Sequence, residues 1–106
     1  MSFRWPNKDP DETLDYSMDW SRFLNTGVNI TAVLWSVDAL DGTKTTITSG
    51  ATVNGLQNVS QNKTNTVAII NFGLGTNNTE YKVYCKITDS SGSQAERVVK
   101  LRVKER

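Results

Sequence analysis

Glu80-Tyr81-Lys82-Val83-Tyr84-Cys85-Lys86-Ile87-Thr88 decides the fold. Tyr81, Val83, Cys85 and Ile87 alternate with Lys82, Tyr84, Lys86 and Thr88, the two-residue period of a strand that buries one face and wets the other. Downstream, Val99, Leu101 and Val103 alternate with Lys100, Arg102 and Lys104. Between the two runs, Asp89-Ser90-Ser91-Gly92-Ser93 supplies turn residues, with Gly92 free to take a positive φ. Glu80 to Lys104 therefore reads as one long β-hairpin. A lone hairpin is marginal in water, so its apolar face has to be covered by the rest of the chain.

Working outward, Thr66 to Phe72 reads as another strand, with Ala68, Ile70 and Phe72 on one face and Val67 and Ile69 on the other. Apolar residues on both faces make it either central or covered by a partner. Val28 to Val37 is rich in Val, Ile and Thr, which favours a strand. Its alternation changes phase, Ile30 and Ala32 fitting one face and Val33, Trp35 and Val37 the other, so it is bulged or buried on both sides. Trp35 is the expected central core aromatic and Leu34 points outward. Leu14 to Trp20 alternates cleanly, and Ser21 to Gly27 then fits a short helical turn. Asp41-Gly42 and Asn54-Gly55 signal tight hairpins around two short threonine-rich strands, 43–48 and 51–53. Gln57 to Asn65 is polar throughout and reads as a loop.

Pro6 and Pro10 keep the start of the chain extended. This gives an N-terminal arm, residues 1–10, ahead of a β-domain, residues 11–106. Phe3 and Trp5 in that arm either fold back over the domain's open end or anchor on a neighbour, as interface aromatics do. The domain is all-β, with about seven short strands, and the expected core is Trp20, Trp35, Tyr81, Val83, Cys85, Ile87, Val99 and Leu101.

With 106 residues the chain holds one core, and 12 Lys and Arg against 11 Asp and Glu give no general attraction to nucleic acid or to a membrane. The charge is segregated, however: Asp9, Asp11, Glu12, Asp15 and Asp19 lie at the start, and Arg97, Lys100, Arg102, Lys104 and Arg106 at the end. Either the first and last strands face one another across a sheet, or these are patches for neighbours in an assembly. No disulfide is expected from one cysteine, and Cys85 reads as a small buried hydrophobe. There is no histidine, which removes the commonest metal ligand and general base. The acids around Pro10 lack calcium-loop spacing, and Gly73-Leu74-Gly75 lacks the Lys-Ser/Thr of a phosphate loop. No cofactor, metal or catalytic residue is expected. No secretory signal is expected, nor is there an apolar run of ~18 residues.

Tyr81 with Val83 and Cys85, and the position of Trp35, resemble the penultimate strand and core tryptophan of immunoglobulin-like domains, here disulfide-free. Asp9-Pro10-Asp11-Glu12, Asp19-Trp20-Ser21, Trp35-Ser36-Val37 and Tyr81-x-Val83-x-Cys85-x-Ile87-Thr88, in that order, resemble a family of small virion proteins of tailed bacteriophages, the fiber-tail adaptors. The resemblance implies an immunoglobulin-like β-sandwich that docks other phage virion proteins at the neck or tail, without catalysis. It implies several copies in a symmetric assembly, located in the virion and assembled in the bacterial cytoplasm. Phe3, Trp5, Leu34, Val67 and Ile69 would then be partner-docking positions. The alternative is a capsid cement or decoration protein on the outer shell. A carbohydrate-binding module would have only Tyr84 to offer as an outward aromatic, and an enzyme has no visible chemistry.

Overall fold

The computed structural model describes residues 3–105, except for the Phe3 side chain. The strands in chain order are β1 (Phe3–Arg4), β2 (Leu14–Asp19), β3 (Ile30–Asp38), β4 (Lys44–Thr46) and β5 (Thr52–Val53). They continue with β6 (Leu56–Lys63), β7 (Val67–Leu74), β8 (Thr79–Asp89) and β9 (Gln94–Val103). Among the described residues there is no helix; the segment after β2 closes a single turn through the Phe23 and Leu24 amides donating to Trp20 O.

The hairpin is β8 and β9, in register from Thr79↔Val103 to Thr88↔Gln94. Its turn is held by Asp89, whose Oδ1 accepts from the Ser91 and Ser93 amides at 2.9 and 3.0 Å, while Gly92 takes a φ of 89°. These bonds, led by the one from the Ser91 hydroxyl, hold the Asp89 carboxyl below its ordinary value. The hairpin forms the centre of a five-stranded sheet, β1-β9-β8-β3-β4, in which only β1 and β9 run parallel. The second sheet, β2-β7-β6-β5, is antiparallel throughout.

The two sheets form a sandwich because each offers one apolar face. From the larger sheet Trp35, Tyr81, Val83, Cys85, Ile87, Val99 and Leu101 point inward, each no more than 1% exposed. Tyr16, Trp20, Ile70 and Phe72 are buried from the smaller one. Each buried Val, Leu, Ile or Phe removes about 1.5–3 kcal/mol of unfavourable hydration, so without a disulfide the apolar core provides the main driving force. Tyr81 keeps its hydroxyl satisfied, donating to Asn54 O at 2.7 Å and accepting from the Thr76 amide at 2.8 Å.

Four sequence readings are resolved or corrected. The phase change in 28–37 is a bulge between Ile30 and Ala32, which turns Trp35 and Val37 inward and leaves Leu34 outside. The segment 57–65 is not a loop: β6 pairs along β7 through a bulge at Val59. Beyond Leu56 and Asn58 its side chains are solvated, so no apolar period marks it. Asn58 fixes it instead, its buried Nδ2 donating to Ile47 O at 3.0 Å and tying β6 to the opposite side of the sandwich. With β6 and β1 added to the roughly seven expected, the strands among the described residues number nine. Asp15 and Asp19 do not face the last strand across one sheet: they lie on β2, in the sheet opposite β9.

Candidate docking surfaces

Strand alternation leaves three surfaces free. On the outer face of the five-stranded sheet, Val98, Tyr84 and Ser36 form one row across β9, β8 and β3, and Glu96, Lys86 and Leu34 form the next. Leu34 is 46% and Val98 39% exposed. Lys44 lies 4.9 Å from the Tyr84 ring centroid and pairs with Glu96, while Arg4 reaches Glu80 at 2.8 Å. The hydrogen bond from Arg4 depresses the Glu80 carboxyl, and burial chiefly, with the bond to Asp38, raises the Tyr84 phenol. Such exposed pairs order the side chains more than they stabilise the fold.

The outer face of the four-stranded sheet has a different chemistry. Val67 and Ile69 are half-buried on its central strand, and Val59 is 42% exposed at the β6 bulge. A shallow hollow of about 400 Å³ there is lined by Asp15, Ser60, Gln61, Asn62, Ile69 and Asn71. The Asn71 side-chain oxygen is buried without a partner. Asp15 and Asp19 are its charges, because Lys63 turns away to donate to Ile30 O at 3.1 Å.

The third surface is the loop end that carries Leu40 beside the Asp41-Gly42 turn and Leu74 beside Gly75. Leu40 is 89% exposed and Leu74 54%. Leu74 has a φ of 58°, a conformation that a branched residue adopts only under constraint. Part of that constraint comes from Lys8, whose fully buried side chain donates from Nζ to Leu74 O and to Asp9 O. Burial pulls the Lys8 ammonium below its ordinary pKa, against the pull of Glu12, Asp9 and Asp11. Gly75 follows with a φ of 107°, and a Cβ there would stand 2.9 Å from Val103 Cγ2.

The docking positions named from the sequence fall in different places. Leu34 is on the outer face of the larger sheet and Val67 and Ile69 on that of the smaller, so they do not form one patch. Trp5 is half-buried against the domain itself, stacked on Tyr16 at 4.8 Å with Nε1 donating to Ser17 O. The Phe3 side chain lies outside the described residues; the Phe3 backbone pairs opposite Val99. Sequence reasoning missed Leu40, Leu74 and Lys8. A single leucine wedged between turn residues, as in Ala39-Leu40-Asp41-Gly42 and Gly73-Leu74-Gly75, is the signal that marks the first two. Lys8 carries none, because its acceptor lies 66 residues away.

The chemistry of a reactive centre is lacking at Cys85, whose thiol burial pushes up to about 12, with the nearby Trp20 indole acting the other way. Among the described residues no group of three or more Cys, Asp or Glu is placed to hold a metal ion. No described helix is long and apolar enough to cross a membrane. No curated protein matches the chain. The family model of the podophage GP4 fiber-tail adaptor protein gp77 matches residues 8–102, from the buried lysine to the end of the hairpin. The chain therefore belongs to this family of phage fiber-tail adaptors and is a structural component of the virion.

Proposed function

We propose that the chain is a non-enzymatic adaptor at the neck or tail of a phage particle, and that it works by docking other virion proteins on the outside of its sandwich. The observation that carries this reading is Leu74. A leucine held at positive φ costs of order 1–3 kcal/mol, and here the strained residue turns 54% of its surface to water at the loop end that also bears Leu40. A free monomer gains nothing from either side chain; an assembled one gains two apolar anchors. Leu34, Val67 and Ile69 add contact area on the two sheet faces. Trp5 fastens the described part of the arm, residues 3–10, along the sandwich.

The sandwich supports an immunoglobulin-like reading: β9-β8-β3-β4 faces β2-β7-β6, and Tyr81 bonds back to the Thr76 amide at the corner before β8. The single buried thiol suits assembly in a reducing bacterial cytoplasm. Multiple copies around a symmetric particle follow from the same reading. Counting copies per purified particle tests it, because a neck or tail position holds about a dozen or fewer, whereas a shell decoration holds hundreds. Leu40→Asp with Leu74→Asn should leave the fold intact and remove the protein from particles; normal incorporation of this variant would discard the docking role of that end.

A further inference from the structure

The two outer faces of the sandwich carry opposite charge. On the five-stranded face, register and ion pairing place Arg4, Lys44, Lys82, Lys86, Lys100 and Arg102 against Asp38, Glu80 and Glu96, six cations to three carboxylates. On the four-stranded face, outward positions carry Asp15 and Asp19, and no described Lys or Arg projects from its strands on that side. Each face also has an apolar centre: Leu34 and Val98 on the basic side, Val59, Val67 and Ile69 on the acidic one. An apolar centre with charges around it is the build of a protein interface.

We propose that copies of this chain join face to back, the basic outer face of one five-stranded sheet docking on the acidic outer face of the next copy's four-stranded sheet. The occupant is a second copy because the two surfaces complement each other in charge on a single molecule, whereas either face against itself juxtaposes like charges. Area permits it: the molecule is 42 Å long and 25 to 28 Å across, so either face offers on the order of the ~800 Å² per partner of a standard interface. The contact is heterologous and leaves a free basic face at one end and a free acidic face at the other. Repetition then gives a ring where the rotation closes. The proposal deepens the reading of the chain as a repeated adaptor by naming the surfaces that join the copies.

Sedimentation of the purified chain at about 0.1 mM tests it. In about 0.02 M salt the chain should form concentration-dependent oligomers that fall apart in about 0.5 M salt, where screening acts over a few ångströms. Lys82→Glu/Lys86→Glu disables the basic face and Asp15→Lys/Ser17→Lys the acidic one; each should weaken self-association at least ~10-fold while thermal unfolding stays unchanged. Mixing the two variants should restore association, because one still offers its acidic face and the other its basic face. Monomer at this concentration in low salt, oligomers that neither variant affects, or no association on mixing would each overturn the proposal. Particle incorporation of wild type is scored separately, so an adaptor that never binds its own copy remains distinguishable from a protein with no virion role.

Discussion

β8 and β6 are both long antiparallel strands, but they are held in opposite ways. In β8 every second residue from Tyr81 to Asp89 is buried, and the strand lies between two partners that are themselves long. In β6 burial ends at Asn58, and beyond the two-residue β5 its outer half has a neighbour on one side only. One strand is fixed by its side chains along its length, and the other by its backbone ladder with Leu56 and the Asn58 amide buried at one end. The strand whose side chains hold the fold has only its outer face free to meet partners, whereas the strand held by its backbone keeps most of its side chains available.

The strongest way to break the contrast is on the β8 side. Trp35 stands opposite Cys85 and is 1% exposed. Trp35→Ala should destabilise the domain by about 3–5 kcal/mol, a large part of the roughly 5–15 kcal/mol such a domain has. Urea unfolding followed by the remaining tryptophans measures it. A loss below about 1 kcal/mol would mean that the hairpin does not depend on this packing.

That dependence explains what could be read from the sequence. Alternation in 81–87 and 99–103, the Asn54-Gly55 turn with φ values of 50° and 83°, and Trp35 were legible because each is a local pattern with a local cause. β6 was not, since a strand that faces water looks like a loop when hydrophobic period is the signal. The opposite placing of Asp15 and Arg102 was also hidden, because sequence order says nothing about which sheet a strand joins. The candidate docking surfaces were legible only in part. Leu34 declares itself once the phase of β3 is known, whereas Leu74 stands out only through its backbone angle and the distant Lys8.

A smaller effect sharpens the comparison at the end of β8. Tyr81→Phe keeps the ring and removes the hydroxyl, leaving Asn54 O and the Thr76 amide without their partner. The expected loss is about 1–3 kcal/mol, with unchanged secondary structure by circular dichroism. An unchanged midpoint would show that water replaces the hydroxyl at this corner. A second readout of the same loosening is Cys85: at pH 8 a thiol pushed up to about 12 is almost wholly protonated, so disulfide-exchange reagents should label it at the rate of unfolding, faster in Tyr81→Phe than in wild type.

The smallest effect belongs to β6, and it separates fold from function most sharply. Ser60 and Asn62 point outward from the half of the strand that touches no core, and both are exposed. Ser60→Ala with Asn62→Ala removes hydrogen-bonding groups but no buried surface, so stability should move by no more than ~0.5 kcal/mol. The same two residues line the hollow with Asp15 and Asn71, so particle incorporation should fall although unfolding does not change. If stability falls by more than ~1 kcal/mol, β6 is held by its side chains after all and the contrast with β8 fails. If neither quantity moves, the ladder with β7 is all that this half of the strand provides, and docking on the four-stranded face has to rest on Val67 and Ile69.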